Sequence, residues 1–180
     1  MKRNIFIILI GGCSRSGKSS LAIKLKEQFL KSGNEIVLLN LDSWIIDLDK
    51  RKPKSKVIER FQINEIIKSV KALLKGEVIL QPIYNPILRK SQGLSSPIQI
   101  KSGILIIEGV IALTIPELLK IANLKIFVDV SNITRLKRLV TFYKEVKKVE
   151  QQEYRKIILE REKEEVPFIK ASKKEADIIY

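Results

Sequence analysis

The sequence holds no histidine at all, and a single cysteine, a single methionine and a single tryptophan in 180 residues. Each absence removes chemistry. Without histidine there is no imidazole base, no His-ligated zinc and no His phosphorelay. With Cys13 alone, an intramolecular disulfide and a cysteine-cluster zinc site are excluded. No apolar run approaches the ~20 residues of a membrane-spanning helix, so a role at a membrane is not expected. Catalysis is left to carboxylates, lysines, arginines, hydroxyls and a metal held by oxygen.

What is abundant is positive charge: 34 Lys and Arg against 20 Asp and Glu give a formal net charge of +14. Such a surplus invites a nucleic-acid partner. The basic residues are spread along the chain, however, aromatics are only 6%, and no RNP-type or helix-turn-helix signature is present. Nucleic acid is therefore disfavoured, and a polyanionic small molecule uses the same potential equally well. The hydrophobic fraction of 45% and the length of 180 residues suit one globular domain with a full core.

The beginning resembles a leader: Met1-Lys2-Arg3, six apolar residues at 5–10, then Gly11-Gly12-Cys13. The apolar run is shorter than the ~7–15 residues of a signal core. A buried strand feeding a glycine loop fits it better, and a cytoplasmic protein is expected.

Four short apolar runs, at 5–10, 36–41, 104–107 and 124–128, are continuous rather than alternating. That pattern suits strands buried on both faces of a parallel sheet. Helical periodicity occupies 20–31, 63–75, 134–149 and 151–166, the second closed by Gly76. Strands alternating with helices predict an α/β sandwich. The stretch 80–97, with Pro82, Pro86, Gly93 and Pro97, reads as an irregular or short-stranded insertion over the ligand edge. The runs end in a glycine loop, in Asp42-Ser43-Trp44, in Glu108-Gly109 and in Asp129. Ligands of open α/β sheets bind at the carboxyl ends of strands, where these groups would converge.

Gly12-Cys13-Ser14-Arg15-Ser16-Gly17-Lys18-Ser19 matches the Walker A pattern, with the required strand before it and helix after it. The glycines let the backbone curl until successive N–H groups face a phosphate, and the following helix aims its positive end at the same anion. Lys18 then reaches the β- and γ-phosphates, the Ser19 hydroxyl ligates Mg²⁺, and Ser20 continues the cradle into the helix. Cys13 sits near a helix N-terminus, which can lower a thiol pKa, but is expected to contribute only backbone.

Taken with Asp42-Ser43, Pro82-Ile83-Tyr84, Ile107-Glu108-Gly109, Ile126-Phe127-Val128-Asp129 and Ser172-Lys173-Lys174 ahead of Ala176-Asp177-Ile178, the chain resembles the uridine kinase and phosphoribulokinase family, from residue 4 to 180. The resemblance implies a single P-loop kinase domain over 1–180: a three-layer sandwich with a five-stranded parallel sheet and a C-terminal helical lid region. The insertion at about 80–100 would serve the acceptor and the segment at about 135–155 the lid. ATP and Mg²⁺ are implied as cofactors, with phosphoryl transfer to a hydroxyl of a nucleoside, sugar or related alcohol. By position, Asp42 falls on the acceptor-facing aspartate, Glu108 on the metal-side glutamate and Tyr84 on an aromatic of the acceptor pocket. Arg135 and Arg138 fall at the start of the lid helix, where arginines neutralise the transferring group.

Other roles suit these residues too. Asp42 can cap a turn, Asp129 a helix, Arg135 and Arg138 can form a solvated face, and Trp44 is either a stacking wall of the acceptor pocket or a core residue. The chain also departs from uridine kinases. Segment 44–61 is shorter and lacks a Phe-Asp-His-Pro stretch, Arg89 stands near where those enzymes place a histidine, and the lid reads Leu-Val-Thr-Phe-Tyr at 139–143. Arg51, Lys52 and Arg89 flank the expected pocket, so the acceptor is expected to be smaller or anionic rather than a pyrimidine nucleoside. A regulatory or nucleic-acid-associated P-loop NTPase is the competing reading; the Asn-Lys-x-Asp and Asp-x-x-Gly motifs of GTPase switches are absent. Homo-oligomerisation is compatible with either.

Overall fold

The computed structural model describes residues 4–180; Met1, Lys2 and Arg3, the charged start of the leader-like stretch, lie outside the described residues. Seven strands and five α-helices follow in the order β1 (Ile5–Gly11), α1 (Lys18–Lys31), β2 (Ile36–Asn40), α2 (Ile63–Lys75), β3 (Pro82–Asn85), β4 (Lys90–Leu94), β5 (Gly103–Glu108), α3 (Pro116–Ile121), β6 (Leu124–Phe127), α4 (Asn132–Thr141), α5 (Gln151–Ala171) and β7 (Ile178–Ile179).

All four apolar runs are strands of one five-stranded sheet, ordered β2-β5-β1-β6-β7 with every pair parallel. β1 lies in the middle, and its continuous apolar sequence has a simple cause. Ile7 and Leu9 point into one core layer, and Ile8 and Ile10 into the other. The first layer is covered by α2, α3 and the end of α5; the second is covered by α1 through Leu21 and Ala22. Each fully buried Ile or Leu contributes about 1.5–3 kcal/mol, so the position of β1 is strongly fixed. The loop after it inherits that rigidity.

Segment 80–97 forms a two-stranded antiparallel hairpin, β3 against β4, apart from the main sheet. Two helices end elsewhere than periodicity indicates. α4 stops at Thr141 and passes into a π-helical turn, Phe142–Val146, before the chain breaks at Lys148 with φ 52°. α5 runs through Pro167 to Ala171. Val166 and Ile169, on either side of that proline, both bury in the main core, and tertiary packing outweighs the local hydrogen bond that proline removes. α4, the π-helical turn and α5 carry a small core of their own: Leu139, Tyr143, Tyr154 and Ile158. No described helix is long and apolar enough to cross a membrane.

Trp44 corrects the expectation of a stacking wall. It is 2% exposed and packs among Leu41, Phe61, Ile66 and Val70 of the main core. The short 3-10 turn Leu41–Trp44 rotates it away from the ligand edge while keeping Asp42 and Ser43 there. Truncating a buried tryptophan costs about 3–5 kcal/mol. Trp44→Ala is therefore expected to lower unfolding free energy by that amount in urea titration, and Trp44→Phe by much less.

Candidate active site

Gly12 opens the curl that follows β1. It has φ 137°, and a Cβ there would lie 2.4 Å from the Val128 carbonyl oxygen, so only glycine fits. Gly17, with φ 112°, performs the second turn and is the N-cap of α1. No side chain caps that helix, and its first turn holds no acidic residue. The positive end of α1 is thus open towards the cleft. Lys18 is 6% exposed, and its ammonium donates to the Cys13 carbonyl at 3.0 Å. Ser16 Oγ is buried with no hydrogen-bond partner. Open backbone donors, a buried ammonium and an unpartnered hydroxyl fit a polyphosphate. The Cys13 thiol is itself buried, and desolvation raises its pKa. Burial outweighs the opposing pull of the Arg135, Lys170 and Lys18 charges.

Two carboxylates converge on this loop from neighbouring strand ends. Glu108, the last residue of β5, is 3% exposed and accepts from the Ser19 hydroxyl at 3.0 Å. That pair is an oxygen-donor set suited to a hard divalent cation. Burial, and then the charge of Asp42, push the Glu108 carboxyl above the usual range, against the pull of Lys18 and Ser19. Asp42 sits just past β2. The Asn40 side chain accepts from its backbone N–H at 2.8 Å, while Asp42 Oδ1 is sealed from solvent without any hydrogen-bond partner. Asp42 therefore does not cap its own turn. Desolvation raises its pKa as well, opposed chiefly by Lys18.

A cleft of about 1080 Å³ runs along the loop, lined by Ser14 to Leu21, Asp42, Tyr84, Glu108 and Arg138 among others. Arg138, from α4, donates to the Arg15 and Ser16 carbonyls at 3.3 and 3.2 Å. Arg15 lies over the Phe142 ring of the π-helical turn at 3.5 Å, a cation–π contact that ties loop to lid segment. A second cavity of about 280 Å³ adjoins it and shares Ser14, Arg15, Asp42 and Tyr84 with the cleft. Arg89 reaches this second cavity, as do Arg51, Lys147 and Arg161. Tyr84 Oη accepts from Arg51 Nη2 at 3.0 Å.

Arg135 is not with them. It is 2% exposed and pairs with Glu162 of α5, because α5 packs onto that face of α4. Asp129 accepts from Lys173 at 2.7 Å, an ion pair outside both cavities. Lys147 and Arg161 escape sequence reading. They lie in charged, amphipathic stretches more than 100 residues from Asp42, and no local pattern separates them from solvated neighbours.

The profile of the phosphoribulokinase / uridine kinase family matches residues 7–180. The chain belongs to this family. It is 30% identical over 145 residues to a uridine kinase of Clostridium perfringens, covering 77% of this chain and 67% of that one. It is 29% identical over 142 residues to uridine kinase-like protein 5 of Arabidopsis thaliana, covering 75% of this chain but only 30% of that protein. Among solved structures, a Silicibacter sp. TM1040 protein proposed as a fructose transport system kinase superposes with a TM-score of 0.79. That match covers 98% of this chain and 90% of the other at 17% identity, a likeness of fold alone. The P-loop kinase fold of the family, with its five-stranded parallel sheet and C-terminal helices, is present here.

The buried carboxylate of this family member has a measurable consequence. With its folded pKa raised above the unfolded value, Asp42 costs stability wherever it is charged, and that cost vanishes once it is protonated in both states. Asp42→Asn is thus expected to raise the ligand-free melting temperature at pH 7. The gain should shrink as pH falls towards the ordinary aspartate range, as read by thermal denaturation from pH 4 to 8.

Proposed function

We propose that this chain is a Mg-ATP-dependent kinase that moves the terminal phosphoryl group of the nucleotide onto a hydroxyl of a small molecule. The observation that carries this reading is the junction of the two cavities. A phosphate cradle and a separate small compartment meet at one unpartnered carboxylate, Asp42.

The loop backbone and Lys18 hold the polyphosphate. Ser19 and Glu108 would hold the magnesium ion, which when bound screens the charge of the phosphates and orients them. Asp42 accepts a hydrogen bond from the acceptor hydroxyl and takes its proton as the new oxygen–phosphorus bond forms and the bond from phosphorus to the nucleotide diphosphate breaks. The raised pKa of Asp42 makes it a better proton acceptor than a solvated aspartate. Arg138, which donates to the Ser16 carbonyl of the loop, would neutralise charge on the group in flight. Tyr84 and Arg89 belong to the acceptor side.

Lys18→Ala is expected to cut turnover at least ~10²-fold while leaving the fold intact, because it removes a preorganised charge at the transferring phosphates. Asp42→Asn should bind Mg-ATP nearly normally and lower kcat by ~10²–10⁴. Calorimetric nucleotide titration beside single-turnover transfer separates the two. Loss of nucleotide affinity with full transfer at saturation would move Asp42 to the metal side instead.

A further inference from the structure

The second cavity is unusual for the company its cations keep. Its lining holds six cationic side chains and four carboxylates. Two of the six are matched: Arg60 pairs with Glu164 at 2.9 Å, and Arg161 with Glu165 at 3.8 Å. Arg15, Arg51, Arg89 and Lys147 remain, and none of them has a carboxylate within ion-pair distance among the described residues. Of the two carboxylates left over, Asp42 faces the shared boundary with the phosphate cleft and Glu160 is exposed.

These cations come from separate places: the segment after β2, the β3–β4 turn, the end of the π-helical turn and the phosphate loop. Their crowding shows on Lys147. Burial, then Arg161, Arg89, Arg15 and Arg51, bring its pKa down from the ordinary lysine range to about 8. Arg51 is held in place by donating from Nε to the Ile46 carbonyl at 2.8 Å and from Nη2 to Tyr84. That spends two of its five N–H donors and leaves the others for a ligand. Arg89 makes no side-chain bond to another described residue, so its fork is open. Arg51, Arg89, Lys147 and Arg161 do not line the phosphate cleft. The nucleotide's own phosphates therefore do not account for them.

We infer that the acceptor is a small alcohol carrying its own phosphate or carboxylate, gripped by Arg51, Arg89 and Lys147 while its hydroxyl meets Asp42. The inference rests on the kinase reading above and departs from the neutral nucleosides after which the curated relatives are named. A neutral base entering this cavity would leave the repulsion among the cations in place. An oxyanion removes it and accepts charge-assisted hydrogen bonds, bidentate from a guanidinium. At about 280 Å³ the cavity lies at the lower edge of small-molecule sites, which suits a compact acceptor.

The test uses acceptors paired by charge: ribose with ribose 5-phosphate, glycerol with glycerate, and uridine and cytidine as neutral nucleosides. Wild type, Arg89→Ala and Lys147→Met are compared with Mg-ATP by mass detection of phosphorylated product. The charged member of a pair should be preferred by at least ~10²-fold in kcat/KM. Each substitution should lower that preference ~10–100-fold through KM, the loss expected for one charge-assisted hydrogen bond of ~1.5–3 kcal/mol. Ribose 5-phosphate and glycerate distinguish phosphate from carboxylate. In parallel, the protein is saturated with Mg and a non-hydrolysable ATP analogue, which fills the loop, and titrated calorimetrically with the same charged compounds. Binding that weakens in Arg89→Ala supports the anion site even if no transfer is seen, an outcome that would sink the kinase reading alone. Efficient phosphorylation of uridine or cytidine, indifferent to both substitutions, overturns the anionic acceptor and leaves the kinase standing. Absence of binding by either charged compound to the analogue-loaded protein overturns it too.

Discussion

A lysine ammonium buried behind a glycine turn, touching a carbonyl but no carboxylate, is the constraint around which this molecule is arranged. Lys18 is 6% exposed, and Asp42 and Glu108 are near enough to feel its charge without forming an ion pair with it. A buried charge without a full partner is costly, and it persists here because the surroundings leave it no way out. β1 is locked in the centre of the sheet by apolar packing on both faces. Gly12 is held against the Val128 carbonyl, and α1 begins at once with an open N-terminus. The core therefore holds a set of donors in a shape that only an added anion can satisfy.

The same tension is repeated around it with the opposite sign. Asp42 and Glu108 are carboxylates pushed towards neutrality by burial, and the charge of Asp42 adds to the difficulty of Glu108. Groups whose environments disfavour their charge, gathered at strand ends, are what a site for phosphoryl transfer requires and what a stability optimum would avoid. The core supplies the surplus. Leu9, Ile10, Leu105, Ile106 and Ile107 are fully buried in adjoining strands and hold the strand ends where the carboxylates are least comfortable.

How much of this can be read from sequence depends on the range of the interaction that decides it. The four long strands and α2 are legible because each is a local pattern whose partner is any apolar surface. The loop is legible because its spacing is dictated by a phosphate, not by the rest of the chain. Asp42 and Glu108 are legible from their places at strand ends. β7 has only two residues, Ile178 and Ile179, and exists because Ile126 and Phe127 of β6 offer an unpaired edge; no periodicity fits in so short a segment. Trp44 is ambiguous from sequence because a 3-10 turn decides which way it faces. Arg135 and Arg138 read alike three residues apart, yet one is buried against Glu162 and the other lies over the loop. Only the packing of α5 separates them.

That packing also joins the walls of the two cavities. α4 carries Arg138 to the cleft along the loop, and α5 carries Arg161 to the second cavity. The pair of buried Arg135 with half-buried Glu162 joins these helices one turn from Arg138 and one residue from Arg161. Removing Glu162 would leave the Arg135 charge buried and unpaired, at a cost of about 3–5 kcal/mol. The shared apolar cluster of Leu139, Tyr143, Tyr154 and Ile158 adds to the same joint. The two arginines therefore sit on one connected piece of structure, with the π-helical turn and its Phe142 contact to Arg15 as the link back to the loop. Independent movement of the two helices would have to break the pair and open the cluster. Movement of both together would break the Arg138 bonds to the loop and the stacking of Arg15 on Phe142, and would also pull Val166 and Ile169 of α5 out of the main core and open the Arg60–Glu164 pair. The walls of the two cavities are thus built from one joined pair of helices that is itself anchored in the main core.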